Sequence, residues 1–287
     1  MGRIATTVEE QIEILKSRGM ELDLNEDKIK EHLLDIGYYR LGFYWFRFIN
    51  SRANTFKPNT RFSTIIQLYY LDKDLKSIIM RALNRIEINI RTQLIYQISN
   101  YYKNSPTWFV DRNVMKESFI QDFPNFYNIQ FKKSNKPIKE HHKKHINDIY
   151  APAWKTLEFM TFGSLLAIFR NLKNEALKES IAGHYGLKKS KIYDNYFGVT
   201  VFIRNICAHG GVLYDAKTPK SINSGPLNLN DRHSLYAAIR VILFLLEVVS
   251  ENRKNEIENE IINLFNAHKD NLHIKSIIEE QICYHFK

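Results

Sequence analysis

Between Phe62 and Asn100 the chain contains neither a glycine nor a proline. Over that stretch apolar residues recur at Leu71, Leu75, Ile79, Ala82, Ile86, Ile90, Leu94 and Ile98. Steps of three and four put these side chains on one continuous stripe of an α-helix, whereas a strand would need alternation. The spacing therefore predicts one long helix or a kinked pair. The rest of the chain agrees, with only 11 glycines and 7 prolines in 287 residues. An all-β chain needs a turn every ~8–12 residues and more breakers than this. The expected fold class is all-α.

Other elements can be placed around that helix. Thr6 or Thr7, followed by Glu9 and Glu10, reads as a helix cap, with a stop near Gly19. Asn25 can cap a second helix that ends before Gly37. Further helices are expected over 154–173 and 175–185, and from Ser190 or Asp194 to His209. Asn230 is expected to cap a helix to about Val249, and a final amphipathic helix covers roughly 255–268. Residues 101–150 read as irregular. The chain is expected to form a single unit, 1–287, with any subdivision separating 1–130 from 151–287.

Charge and cysteine use narrow the function classes. The net charge is +10, which favours an anionic partner, although a basic solvated surface gives the same number. Two cysteines, Cys207 and Cys283, exclude a disulfide framework and a CxxC zinc pattern. Cys207 reads as a buried packing residue. The N-terminal stretch carries charges throughout and has no signal-like apolar core, so a reducing, cytoplasmic location is expected. The longest apolar run, Val241–Leu246, is too short for a bilayer span, and no membrane association is expected.

The stretch with most chemical content is Arg204-Asn205-Ile206-Cys207-Ala208-His209, the only Arg-x4-His spacing in the chain. Histidine suits proton transfer near neutral pH, and arginine offers a planar fork of donors to a phosphate. Those are two groups needed to cleave RNA without a metal. Gly210-Gly211 should end the helix here in a left-handed cap. Asn205 and His209, four apart, share a face. Arg204 and His209, five apart, point about 140° away from each other on a regular helix. They line one cleft only if the helix end bends or two helices converge, as in a homodimer. The alternative is a capping histidine at a helix C-terminus, where positive charge is favoured.

Three further groups are candidates. Glu87 and Arg91, four apart, form either an ordinary intrahelical ion pair or a polar group that orients Arg204 and His209. The aromatic run from Gly37 to Phe48, with Arg40 and Arg47 interleaved, is either a stacking and phosphate surface for RNA or a core segment. Lys132, Lys133, Lys136, Lys139, Lys143 and Lys144 form a basic stretch that either contacts RNA backbone or is a solvated loop. His141, His142 and His145 lie within it, but with no acidic or cysteine partner apparent nearby they are not expected to hold a metal. No cofactor is expected.

In three blocks the chain resembles the Abi-like family of bacterial abortive-infection proteins, the group that includes AbiD and AbiF. The first comprises Glu10-Gln11-Ile12, Leu15-Lys16-Ser17-Arg18-Gly19 and Ile36-Gly37-Tyr38-Tyr39-Arg40-Leu41. The second runs from Leu71-Asp72-Lys73-Asp74-Leu75 through Arg85-Ile86-Glu87 to Arg91-Thr92. The third is Arg204-Asn205 with Cys207-Ala208-His209. The family often continues the last block with a second basic residue, where this chain has Gly210, Gly211 and Val212. The resemblance implies a HEPN-like helical bundle with additional N-terminal and C-terminal helices. It implies a homodimeric, metal-independent endoribonuclease for phage defence, held in check by a small noncoding RNA. Arg204 and His209 would be catalytic, with Asn205, Glu87 and Arg91 in support. Two other functions stay open: an RNA-binding protein that does not cut, and a helical scaffold.

Overall fold

The computed structural model describes residues 4–50 and 52–286. It is all-α apart from one two-stranded antiparallel hairpin, Ile49–Asn50 with Thr55–Phe56. The chain forms two compact units. One comprises 1–79, 206–216 and 258–287; the other comprises 80–205 and 217–257.

In the first unit, helix α1 (Val8–Ser17) opens with a capping box. Thr7 accepts from the Glu10 amide while the Glu10 carboxylate accepts from the Thr7 amide. It closes at Gly19, whose φ of 85° lets the Met20 amide reach the Leu15 carbonyl. Asn25 caps α2 (Glu26–His32), as its sequence position suggests. The α-helix ends before Gly37, as expected, and passes into a π-helical turn, Leu33–Gly37, from which Gly37 at φ 92° leads into α3 (Tyr38–Trp45). Leu41, Tyr44 and Trp45 are buried there, whereas Tyr39, Phe43 and Phe46 are exposed. The aromatic run is thus split by helical face: Leu41, Tyr44 and Trp45 belong to the core, and Tyr39, Phe43 and Phe46 face outward.

Helix α4 (Phe62–Tyr101) is one continuous helix of 40 residues, with no kinked pair. At 1.5 Å per residue it is ~60 Å long. Its stripe is fully buried at Leu75, Ile86, Ile90, Leu94 and Ile98. Ile79 and earlier residues belong to the first unit; the remainder of α4 starts the second.

Residues 101–150 are irregular only in part, at 102–116 and 145–150. Between those stretches the chain forms α5 (Glu117–Phe126), α6 (Ile129–Ser134) and α7 (Lys136–Lys144). None is long enough to persist alone in water. They are supported by stacked and edge-on rings of Phe109, Phe123, Tyr127 and Tyr150, with centroids 4.8–6.2 Å apart.

The stretch expected as one helix over 154–173 breaks in the middle. It gives α8 (Ala153–Thr156) and, after Thr161 caps a new start, α9 (Phe162–Asn171). Next come α10 (Glu175–His184) and α11 (Ser190–Ala208). The rings of Phe162 and Phe197, 5.1 Å apart, and of Phe169 and Tyr193, 4.9 Å apart, hold α9 against α11. Helix α12 (Leu235–Val249) is capped by Ser234, not Asn230. Helix α13 (Glu251–Asn266) is followed by α14 (Leu272–Ile277) and a π-helical turn, Ile278–Ile282, so 255–268 is not the last element. Among the described residues no helix is long and apolar enough to cross a membrane.

Candidate functional site

Helix α11 ends at Ala208 and the chain turns at once. Gly210 takes φ 69°, and the Gly211 amide donates to the Ile206 carbonyl at 3.0 Å. This is the six-to-one bond of a Schellman cap, and it makes His209 the residue on which the helix stops. His209 and Asn205 are both exposed. Among the described residues neither side chain has a hydrogen-bond or ion-pair partner. His209 is not a packing residue; its side chain is available to solvent at the C-terminal end of the helix.

The turn behind His209 is held by three charged side chains, of which only Arg40 is among the sequence candidates. Asp72 on α4 is fully buried. Its Oδ1 accepts the amides of Leu213 and Tyr214 at 2.8 and 2.7 Å. Its Oδ2 accepts the Tyr44 hydroxyl at 2.9 Å and pairs with Lys76 Nζ at 2.7 Å. Lys76 also donates to the Gly211 carbonyl at 2.9 Å, and Arg40 donates to the Gly210 carbonyl. Desolvation by burial, reinforced by the Asp72 charge, pushes the Tyr44 phenol far above its usual range, so it stays a donor.

Asp72 lies four residues after Leu68, three before Leu75 and seven before Ile79. It is a lone acid at a core position of an apolar stripe. That pattern was the available signal, because a buried carboxylate is costly unless several donors meet it.

Cys207 is half-buried rather than fully buried. Burial pushes its thiol up to about 12, against a smaller lowering by Lys76, which keeps it protonated and a poor nucleophile near neutral pH.

Arg204 lies on the last turns of α11, in the second unit, and is half-buried. Its Nε is 3.4 Å from Glu87 Oε2. The other oxygen of Glu87 accepts from Arg91 Nη2 at 2.9 Å, and Arg91 also donates to the carbonyls of Glu158 and Met160, each at 3.0 Å. Glu87 and Arg91 are thus more than an isolated intrahelical pair. The carboxylate bridges two guanidiniums, and Arg91 ties α4 to the turn before α9. Three of the sequence candidates, Glu87, Arg91 and Arg204, meet in one cluster.

The remaining candidates stand apart from it. Arg40 donates to the Gly210 carbonyl through Nη1, and Arg47 lies 3.9 Å from Asp215. The lysines occupy α6 and α7, which are folded helices and not a loop. Lys132 sits over the Tyr127 ring, and Lys143 pairs with Glu140. Lys133, Lys136, Lys139 and Lys144 are exposed.

An acid does approach the histidines on α7. His141, only 5% exposed, shares a hydrogen bond with Asp148 at 3.0 Å, and His142 pairs with the Tyr127 hydroxyl at 2.9 Å. Desolvation is the main cause lowering the pKa of both imidazoles. Among the described residues no group of three or more histidine, cysteine, aspartate or glutamate side chains is placed to hold a metal ion.

Comparison with known proteins adds one finding. The model of a family described as Abi-like protein matches residues 31–215, a span that contains Arg40, Asp72, Lys76, Glu87, Arg91, Arg204 and His209. No curated protein and no solved structure matches the chain significantly.

Proposed function

The chain belongs to the Abi-like protein family, and from that premise we propose that it is an abortive-infection effector of phage defence that cleaves RNA without a metal. The observation that carries this reading is His209, exposed and unpartnered among the described residues on a turn that Asp72, Lys76 and Arg40 hold in place.

In this mechanism the 2′-hydroxyl of the substrate attacks the adjacent phosphorus and the 5′-oxygen leaves. His209 moves the proton as general base or general acid. Arg204, with its Nε turned to Glu87, binds the scissile phosphate and stabilises its developing charge. Asn205, one helical turn before His209, orients the imidazole or the phosphate. A homodimer that faces two such motifs would supply a second histidine, so that one acts as base and the other as acid. The products carry a 2′,3′-cyclic phosphate, and DNA, which lacks the nucleophile, is not cut. A small noncoding RNA bound to the protein holds the activity in check until infection.

A second reading has support in Arg204, whose half-buried guanidinium is already paired. In it the protein grips RNA without cutting and acts by sequestration. The two separate in cells. The protein is purified from its native locus with whatever RNA it carries, that RNA is sequenced, and phage plating is compared for wild type and His209→Ala. One discrete small RNA together with lost protection supports the controlled nuclease. Full protection by His209→Ala refutes catalysis by this histidine. A random mixture of host RNA removes the specific partner.

A further inference from the structure

The first unit has a groove of about 1230 Å³ along α3. Its wall carries Tyr39, Phe43 and Phe46, which are 72%, 44% and 73% exposed. Leu41, Tyr44 and Trp45 are the residues of α3 that enter the core, whereas Tyr39 and Phe43 on α3, and Phe46 in the 3-10 turn Phe46–Phe48 that follows it, face outward. The three rings follow at steps of four and three, so they form one stripe, and Tyr39 meets Phe43 edge-on at 5.3 Å. Cations alternate with them around the groove. Lys57 is exposed, and although its backbone bonds Phe48 and Thr60, its ammonium has no partner among the described residues. Arg47 lies within 3.9 Å of Asp215, and Arg18 is fixed by Asn54 and stacked on Phe56 at 5.2 Å.

Apolar rings with interleaved cations suit a ligand that offers flat faces and negative charge together. Unpaired nucleotides do so, because every base has a face to stack and every linkage a charge. A double helix does not, since its bases are already stacked on each other and only backbone and edges are exposed. A second copy of the chain fits less well. The centres of protein interfaces are depleted of lysine, and Lys57 and the acids Asp215 and Glu280 share this groove.

We propose that this groove is a binding site for a single-stranded RNA segment, with Tyr39, Phe43 and Phe46 as the base platform and Lys57 and Arg47 as phosphate contacts. The inference rests on the RNA-binding part of the function proposed above and adds where an unpaired stretch is held. Its residues are separate from Arg204 and His209, so binding here and cleavage are separable.

The test is fluorescence anisotropy with a short labelled single-stranded RNA and its duplex form. The proteins compared are wild type and Tyr39→Ala, Phe43→Ala, Phe46→Ala, Phe46→Leu and Lys57→Ala. Wild type should prefer the single strand. Each alanine that removes a platform should weaken single-strand binding by about 5- to 150-fold, the equivalent of ~1–3 kcal/mol per stacked base. Phe46→Leu keeps apolar bulk without a ring and should behave like Phe46→Ala. Lys57→Ala should lower the salt slope by about one contact. Unchanged thermal melts will show that the exposed substitutions leave the fold intact.

Equal affinity of Phe46→Leu and wild type would overturn stacking. Ring variants that bind RNA normally but lose self-association in sedimentation would overturn the proposal and assign the stripe to a second copy. Wild type that binds neither RNA form would overturn this inference and the RNA reading beneath it, whereas RNA binding indifferent to all five substitutions would overturn this inference alone.

Discussion

Replacing Asp72 by alanine should be among the most damaging single changes in the first unit. The side chain is 0% exposed and serves four donors: the amides of Leu213 and Tyr214, the Tyr44 hydroxyl and the Lys76 ammonium. A buried donor left without an acceptor costs ~1–3 kcal/mol, and more when it is charged. The four costs do not add, because Tyr44 and Lys76 can turn and water can enter the polar space vacated. Breaking a buried charge pair by deleting one partner typically costs ~3–5 kcal/mol, and that is the expected loss here. At ~2–4 °C per kcal/mol for a chain of this size, melting should fall by roughly 6–20 °C. Urea unfolding followed by tryptophan fluorescence reads the first unit through the buried Trp45 and the second through Trp108 and Trp154. Asp72→Asn keeps one acceptor for the two amides but sets an amide group against Lys76, so it should lose less than alanine. In a Lys76→Met background the charged orphan is gone, and Asp72→Ala should cost clearly less than in wild type. A loss below ~0.5 kcal/mol for Asp72→Ala, or equal losses in both backgrounds, would refute the reasoning.

Three further outcomes follow from the same geometry. Gly210→Ala puts a Cβ at φ 69° and 2.8 Å from Arg40 Nη2, so it should cost ~1–2 kcal/mol of backbone strain plus the loss of the Arg40 contact; urea melts check it. Glu87→Ala removes the carboxylate shared by Arg91 and Arg204 and should cost about 1–3 kcal/mol in the same assay, with any RNA cleavage reduced more than stability. His141, His142 and His268 are held below the ordinary histidine pKa of 6.5, chiefly by desolvation. The unfolded chain therefore binds more protons than the folded one between the lowered values and 6.5, so stability is full above that window and falls as pH drops through it. Thermal melts from neutral pH towards mildly acidic pH should show the decline, and His142→Gln should flatten it.

Much of the architecture is legible in the sequence where a local rule and the tertiary structure agree. The apolar stripe of α4 is a pure period signal, and the caps at Thr7 and Asn25 and the turn at Gly210 follow from side-chain chemistry and backbone freedom. Residues 101–150 misled because α5, α6 and α7 are short and owe their stability to rings brought together from distant positions such as Phe109 and Tyr150. Asn230 is a good cap by composition, but Ser234 bonds the Ala237 amide and takes that role. At the candidate site, Arg204 and His209 were visible as a spacing, and Glu87 with Arg91 as a pair. The bridging of Arg204 to that pair needs helix α11 set against α4, which no local pattern encodes. Asp72, which accepts the Leu213 and Tyr214 amides, and Lys76, which donates to the Gly211 carbonyl, were missed because their partners lie far along the chain, 135 positions away in the case of Lys76.

Incubation of RNA with purified wild type and with His209→Ala and Arg204→Ala in chelator, with analysis of the product ends, tests the central claim most directly. The account predicts metal-independent cleavage that leaves 2′,3′-cyclic phosphate ends, falls by at least ~100-fold on removal of either side chain, and is absent on DNA. Cleavage that persists in His209→Ala, or RNA that is bound tightly by wild type and never cut, would contradict it.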